Sequence, residues 1–179
     1  MVSGPSGSGK GTLLARVLPE LNNIEATVSA TTRQPRVGEI DGRDYHFLTD
    51  AAFDEITAQD GLLEWASVHG RRYGTLRSEV LRIHESGSDA LLEIDPQGAR
   101  QVKQSFPAAE MIFIMPPSLE VLRQRLINRA TESDEEINKR VAAAESEIQA
   151  AAEYDIVILN DDLDTAVNQL LAKMKEMTD

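Results

Sequence analysis

The chain has no cysteine in its 179 residues, which removes disulfides, thiolate metal sites and cysteine nucleophiles together. No apolar run approaches the roughly 20 residues of a membrane span, and no secretion-signal pattern is seen. The expected setting is therefore cytoplasmic, without a membrane partner. Positive charge is in deficit: 18 Lys and Arg stand against 30 Asp and Glu, a formal charge of −12, which argues against a nucleic-acid partner. From Ala130 onward there are 13 acidic and 4 basic residues. The only histidines, His46, His69 and His84, are scattered and read as surface or strand-face residues.

The basic residues that are present are grouped. Arg33, Arg36, Arg43, Arg71 and Arg72 form one set, and Arg123, Arg125, Arg129, Lys139 and Arg140 another. An acidic protein that gathers its arginines in two patches suits small polyanions, with phosphate the obvious one. A phosphate grip is indeed written near the start, as Gly4-Pro5-Ser6-Gly7-Ser8-Gly9-Lys10-Gly11-Thr12. Its glycines allow a tight turn with N–H groups pointing inward, the following helix aims its positive end at the same point, and Lys10 adds a full charge. A strand at Met1–Ser3 precedes it and a helix over 12–18 follows, so the required strand–loop–helix order is present.

Beyond this loop the pattern alternates. Strands are expected over 25–29, 90–94, 111–115 and 156–159. Helices are expected from Leu76 to Gly87, over 97–104, from an N-cap at Ser118, from a Ser133–Glu136 capping box, and from an N-cap at Asp162. Five short apolar strands separated by helices indicate an α/β fold, a parallel five-stranded sheet with helices on both faces. Ligands of such sheets gather at the carboxyl ends of the strands. Residues 31–75 break the pattern; with strands suggested at Tyr45–Phe47 and Leu62–Ala66 and a weak helix over 51–58, they read as an inserted β-rich lobe. With 41% hydrophobic residues, the chain can close one core with small subdomains attached.

Three clusters could carry chemistry. Arg33 and Arg36 flank Pro35 at a strand end and could fork onto one phosphate if the backbone is extended; a solvated basic loop is the alternative. Glu64 interrupts an apolar strand, so its carboxylate either faces solvent or accepts from something specific. Guanine would suit it, with adjacent donors at N1–H and the 2-amino group, whereas adenine offers an acceptor at N1. Tyr73 and Thr75 could add a phenol for a phosphate and a hydroxyl for a purine oxygen. Glu93 lies on an apolar strand that ends in Asp95, an arrangement that holds Mg²⁺ through water in phosphate-loop enzymes.

Taken together, these stretches resemble the guanylate kinase family: G-P-S-G-S-G-K-G-T, S-A-T-T-R-Q-P-R-V-G-E with D-Y-H-F, L-E-W-A, Y-G-T, D-P-Q-G-A, I-N-K-R and N-D-D-L run in order along nearly the whole chain. The resemblance implies transfer of the γ-phosphate of ATP to GMP or dGMP, with Mg²⁺ as cofactor and ATP and GMP as partners. It implies a core of residues 1–30, 76–124 and 141–179, a GMP-binding lobe of 31–75, and a lid of 125–140. Lys10, Arg125, Arg129 and Arg140 would surround the transferring group. Gly4, Ser6, Gly7, Ser8, Gly9, Lys10, Gly11, Thr12 and Asn160 would take ATP. Ser29, Arg33, Arg36, Glu39, Tyr45 and Tyr73 would hold the GMP phosphate side, while Glu64, Thr75 and Asp95 would read guanine. Thr12 and, through water, Glu93 would face the metal.

Gly11 stands where many members carry a metal-binding serine, and the lid reads Asn128-Arg129-Ala130 where it often reads G-R-G. The first strand, usually begun earlier, is expected to be short. A non-catalytic phosphopeptide-binding module of the same fold, or a kinase for another nucleoside monophosphate, are the alternatives; the intact Lys10 and the Glu64–Thr75 pair count against them.

Overall fold

A computed structural model describes residues 1–68, 70–128 and 134–178. In chain order the elements are β1 (Val2–Ser3), α1 (Lys10–Val17), β2 (Ile24–Ala26), β3 (Ala30–Thr31), β4 (His46–Phe47), α2 (Asp50–Ala58), β5 (Leu62–Val68), β6 (Arg71–Leu76), α3 (Arg77–Glu85) and β7 (Asp89–Leu91). They continue with α4 (Pro96–Ser105), β8 (Ile112–Met115), α5 (Leu119–Asn128), α6 (Asp134–Gln149), β9 (Ile156–Leu159) and α7 (Leu163–Thr178). Two compact units result, Met1–Asn22 with Glu110–Asp179, and Asn23–Ala109.

The first unit is built on β8, whose Ile112, Phe113 and Ile114 are all buried, as a central parallel strand must be. The short β1 pairs on one side, with Val2 opposite Ile112, and β9 pairs on the other, with Ile158 opposite Ile114. At the β9 edge Ile158 is buried while Val157 and Leu159 are about half exposed, the alternation of an edge strand. Leu13, Leu14 and Val17 of α1 and Leu170 and Met174 of α7 are buried. Leu122 and Leu126 of α5 pack with Ile137 and Ala144 of α6. The expected caps are present at Ser118, which accepts from Val121 N at 3.1 Å, and at Asp162, which accepts from Thr165 N at 2.8 Å. The Ser133–Glu136 box lies outside the described side chains.

In the second unit β2 and β7 form a parallel pair, Glu25 opposite Ala90. The five parallel strands read from the sequence are thus β1, β2, β7, β8 and β9, hydrogen-bonded as three in one unit and two in the other. The single strand expected over 25–29 stops at Ala26, and the chain crosses at Thr27–Ser29 into a four-stranded sheet of order β4-β3-β6-β5. There β3 pairs parallel with β4 and antiparallel with β6. Phe53 of α2 is buried with Ala30 and Leu62 against this sheet. Thr49 caps α2 by accepting from Ala52 N, and Asp95 caps α4 by accepting from Gly98 N, with Pro96 in the first turn; these are residue types that helix N-termini favour.

Candidate functional site

In the first unit the loop after β1 turns through three left-handed or extended-positive glycines, Gly4 (φ 148°), Gly7 (φ 89°) and Gly9 (φ 94°), conformations that side chains resist. Gly9 is needed twice over, because a Cβ there would overlap the Asn160 amide. The helix starts two residues earlier than the sequence indicates, so Lys10 is the first residue of α1, with its ammonium on the carbonyls of Gly4 and Pro5. The loop is clamped from the far end of the chain. Asn160 Nδ2 donates to Ser8 O at 2.6 Å, Arg125 donates to Ser8 O at 3.3 Å and to Asn160 O at 3.0 Å, and Arg140 donates to the Ser6 hydroxyl at 3.2 Å. The Ser8 hydroxyl is fully buried with no hydrogen-bond partner among the described residues. Gly11 and Thr12 lie on the exposed side of the first helical turn. Arg129 lies outside the described residues.

In the second unit the segment after β3 is folded around one ion pair. Arg33 donates to both Glu39 oxygens at 2.9 Å, and Glu39 also accepts from Arg36 N at 2.6 Å. The Arg33 guanidinium holds the Glu39 carboxyl below its ordinary range and stacks over the rings of Tyr45 at 5.3 Å and Phe47 at 5.6 Å. Tyr45 meets Tyr73 edge-on at 6.0 Å. Burial, then the charge of Glu93, push the Tyr45 phenol up. Arg33, Glu39, Tyr45 and Tyr73 are therefore neighbours. Arg36 points to solvent; Ser29 is half-buried, and its carbonyl accepts from His46 N. His46 Nε2 lies 3.9 Å from a Glu79 oxygen, His84 is exposed, and His69 lies outside the described residues.

Glu64 faces inward. Buried residues alternate along β5 as Leu62, Glu64 and Ala66, the ordinary period of a strand, while the pairing with β6 shifts by one residue between Leu62 and Glu64. That brings Glu64 directly opposite Thr75, whose hydroxyl donates to it at 2.7 Å. Desolvation raises the Glu64 carboxyl to about 7; the Thr75 hydrogen bond opposes this, and the charge of Asp95 adds to it. Asp95 spends one oxygen on Gly98 N at 2.8 Å, and its Oδ2 has no partner among the described residues. Three carboxyl and hydroxyl groups expected to act together thus converge, with acceptor capacity to spare, while Glu93 is exposed.

Some partners were invisible to sequence reading. Nothing in the chain's local pattern points Asn160 and Arg125 at the Ser8 carbonyl, 152 and 117 residues away. Arg72, expected to serve a polyanion, is instead bound to Asp50 and Asp54 and stacked on Phe53 at 4.7 Å. The acids of α2 were a signal for that pairing.

The family model described as guanylate kinase matches residues 1–177. The chain is 46% identical over 172 residues to the guanylate kinase of Caldanaerobacter subterraneus subsp. tengcongensis, covering 96% of this chain and 84% of that one. It is 48% identical over 176 residues to the guanylate kinase of Synechocystis sp., covering 98% and 92%. The crystal structure of guanylate kinase from Anaplasma phagocytophilum superposes with a TM-score of 0.78 at 32% identity, over 98% of this chain and 83% of that one. By sequence over nearly its full length, and by fold, the chain belongs to the guanylate kinase family.

Proposed function

We propose that the chain transfers the γ-phosphoryl group of ATP to GMP or dGMP, giving ADP and GDP. The observation that carries the choice of acceptor is the buried Glu64–Thr75 pair beside Asp95. Guanine offers its N1–H and 2-amino donors to a carboxylate and its O6 to the Thr75 hydroxyl, whose single proton would turn to it from Glu64; adenine, which lacks the N1 proton, would leave Glu64 buried with no donor from the base. In this reading Arg33, Arg36, Glu39, Ser29, Tyr45 and Tyr73 serve the GMP phosphate within a lobe of residues 31–75. Asn160 and the loop Gly4–Thr12 serve ATP, and residues 125–140 act as a lid. The cytoplasmic setting belongs to the same proposal; no described helix is long and apolar enough to cross a membrane.

The nucleophile is the GMP phosphate, with a second pKa of about 6, so it arrives ionised and needs no general base. What remains for the protein is positioning and charge neutralisation. Lys10, Arg125, Arg129 and Arg140 are the proposed cations. In the structure Lys10 donates to the carbonyls of Gly4 and Pro5, positions that a charged phosphate oxygen would take over.

Mg²⁺ is proposed to accompany ATP. The described residues contain no cluster of three acidic or imidazole ligands, whereas the exposed Thr12 hydroxyl at the start of α1 is one oxygen donor of the kind Mg²⁺ accepts beside phosphate and water. Glu93 is kept as a contact through water. Held by Thr12 and, through water, by Glu93, the metal would supply positive charge that neutralises the phosphates of ATP. A coupled assay of ADP release from Mg-ATP with GMP, dGMP, AMP, UMP or no acceptor tests the proposal. Turnover is expected with GMP and dGMP; equal turnover with AMP or UMP, or none with any acceptor, overturns it.

A further inference from the structure

Gly98 occupies the first turn of α4, a right-handed helical position where the backbone makes no demand for glycine and glycine is among the poorest helix formers. Its bare Cα faces Glu64. A Cβ at Gly98 would stand 2.9 Å from the Glu64 carboxylate carbon and closer still to Oε2. The obstacle is the end of a flexible side chain, so an added methyl would move the carboxylate rather than either backbone. One turn along the same helix, Gln101 grips the main chain of the residue after Glu64: its Nε2 donates to Trp65 O at 2.7 Å and its Oε1 accepts from Trp65 N at 3.2 Å. Helix α4 therefore pins β5 by its backbone at Trp65 and leaves a gap for the side chain at Glu64.

We propose that Gly98 is a specificity-determining positioning residue, whose missing side chain sets where the Glu64 carboxylate meets the guanine base, with Gln101 fixing the strand that carries it. The proposal rests on Glu64 reading guanine. A carboxylate that must accept two parallel donors tolerates little displacement, because one lost hydrogen bond to a charged, buried group removes most of the discrimination.

The test compares GMP with IMP, which lacks the 2-amino donor, as acceptors for the full chain with Mg-ATP. For Gly98→Ala, KM for GMP should rise about 10-fold or more, and the GMP over IMP ratio of kcat/KM should fall by roughly the same factor. KM for ATP should stay within about twofold, and the protein should still fold, since alanine's better helix propensity offsets part of the cost of displacing the buried carboxylate. Adding Glu64→Asp to Gly98→Ala shortens the acid by one methylene and should recover part of the lost preference. Unchanged GMP kinetics in a folded Gly98→Ala protein, or a double variant as poor as the product of the two single losses, overturns the proposal. Glu64→Gln separates the two levels. Loss of GMP preference in Glu64→Gln but not in Gly98→Ala overturns the role of Gly98 alone. Full preference retained in Glu64→Gln overturns guanine reading and this proposal with it.

Discussion

Glu64 is a buried acid whose perturbers include no cation, and its chemistry follows from that. Desolvation disfavours its charged form more than the Thr75 hydroxyl favours it, which moves the group from 4.5 to about 7. Between those values the folded chain holds a proton that the unfolded chain has released. This contribution to stability is full below pH 4.5, falls as pH rises through the window, and is gone above 7, a loss of about 3 kcal/mol at 1.36 kcal/mol per unit. Glu39, Glu79 and Asp162, whose carboxyls are lowered, act in the opposite sense, so total stability does not isolate Glu64. The difference between wild type and Glu64→Gln does. In urea denaturation the variant should gain roughly 2 to 3 kcal/mol on wild type between pH 5 and pH 8; a pH-independent difference would count against a neutral buried acid. Binding inverts the preference, since two guanine donors demand the ionised form. Guanosine, which carries no titrating phosphate, should bind wild type progressively more weakly as pH falls from 8 to 6, measured by calorimetry.

At the scale of elements, the loop–helix junction of β1 and α1 is held by groups from other segments as well as by its own Lys10 and Ser8. Asn160, just beyond β9, and Arg125 on α5 share the Ser8 carbonyl. Removing one leaves the acceptor paired, so Asn160→Ala avoids the penalty of an orphaned buried carbonyl. The cost should appear as looser loop geometry: KM for ATP raised about 3- to 10-fold from one lost hydrogen bond, with KM for GMP unchanged, in steady-state assays varying each substrate. An equal rise in both would indicate a general loss of folding instead. Gly11, by contrast, opens onto space, since a Cβ there meets nothing within 4 Å. The serine that the family resemblance leads one to expect there would thus fit this chain, and sterics do not explain its absence.

Across the whole chain, what could be read from sequence was what short-range chemistry dictates. The loop glycines, the apolar run of β8 and the caps at Ser118 and Asp162 each act within a few residues. Strand β6 was missed because Arg71, Arg72 and Gly74 give it no apolar alternation; it is a strand because β3 and β5 pair with it on both sides. The break after Ala26 was missed because the choice of a new sheet at Ala30 depends on β4 and β6, which lie later in the chain. Guanine-reading candidates were named from residue type, but the gap at Gly98 that admits Glu64 depends on a contact 34 residues away, and no local pattern encodes it. Net charge is the one property that sequence gives for the whole molecule outright. The exposed pairs Arg16–Asp164, Arg77–Asp60, Lys139–Glu135 and Lys173–Glu176 contribute roughly 0.2 to 1 kcal/mol each at best, and salt weakens them. Salt also screens the repulsion of a −12 chain, and that term grows with the square of the net charge. Repulsion should win, so the melting temperature should rise by a few degrees between 0.02 and 0.3 M KCl. Chloride is the anion to use, because phosphate or sulfate would also stabilise the fold by occupying phosphate sites. A melting temperature that falls in KCl would mean that the ion pairs, among them the half-buried Arg33–Glu39 bridge, outweigh the charge of the whole.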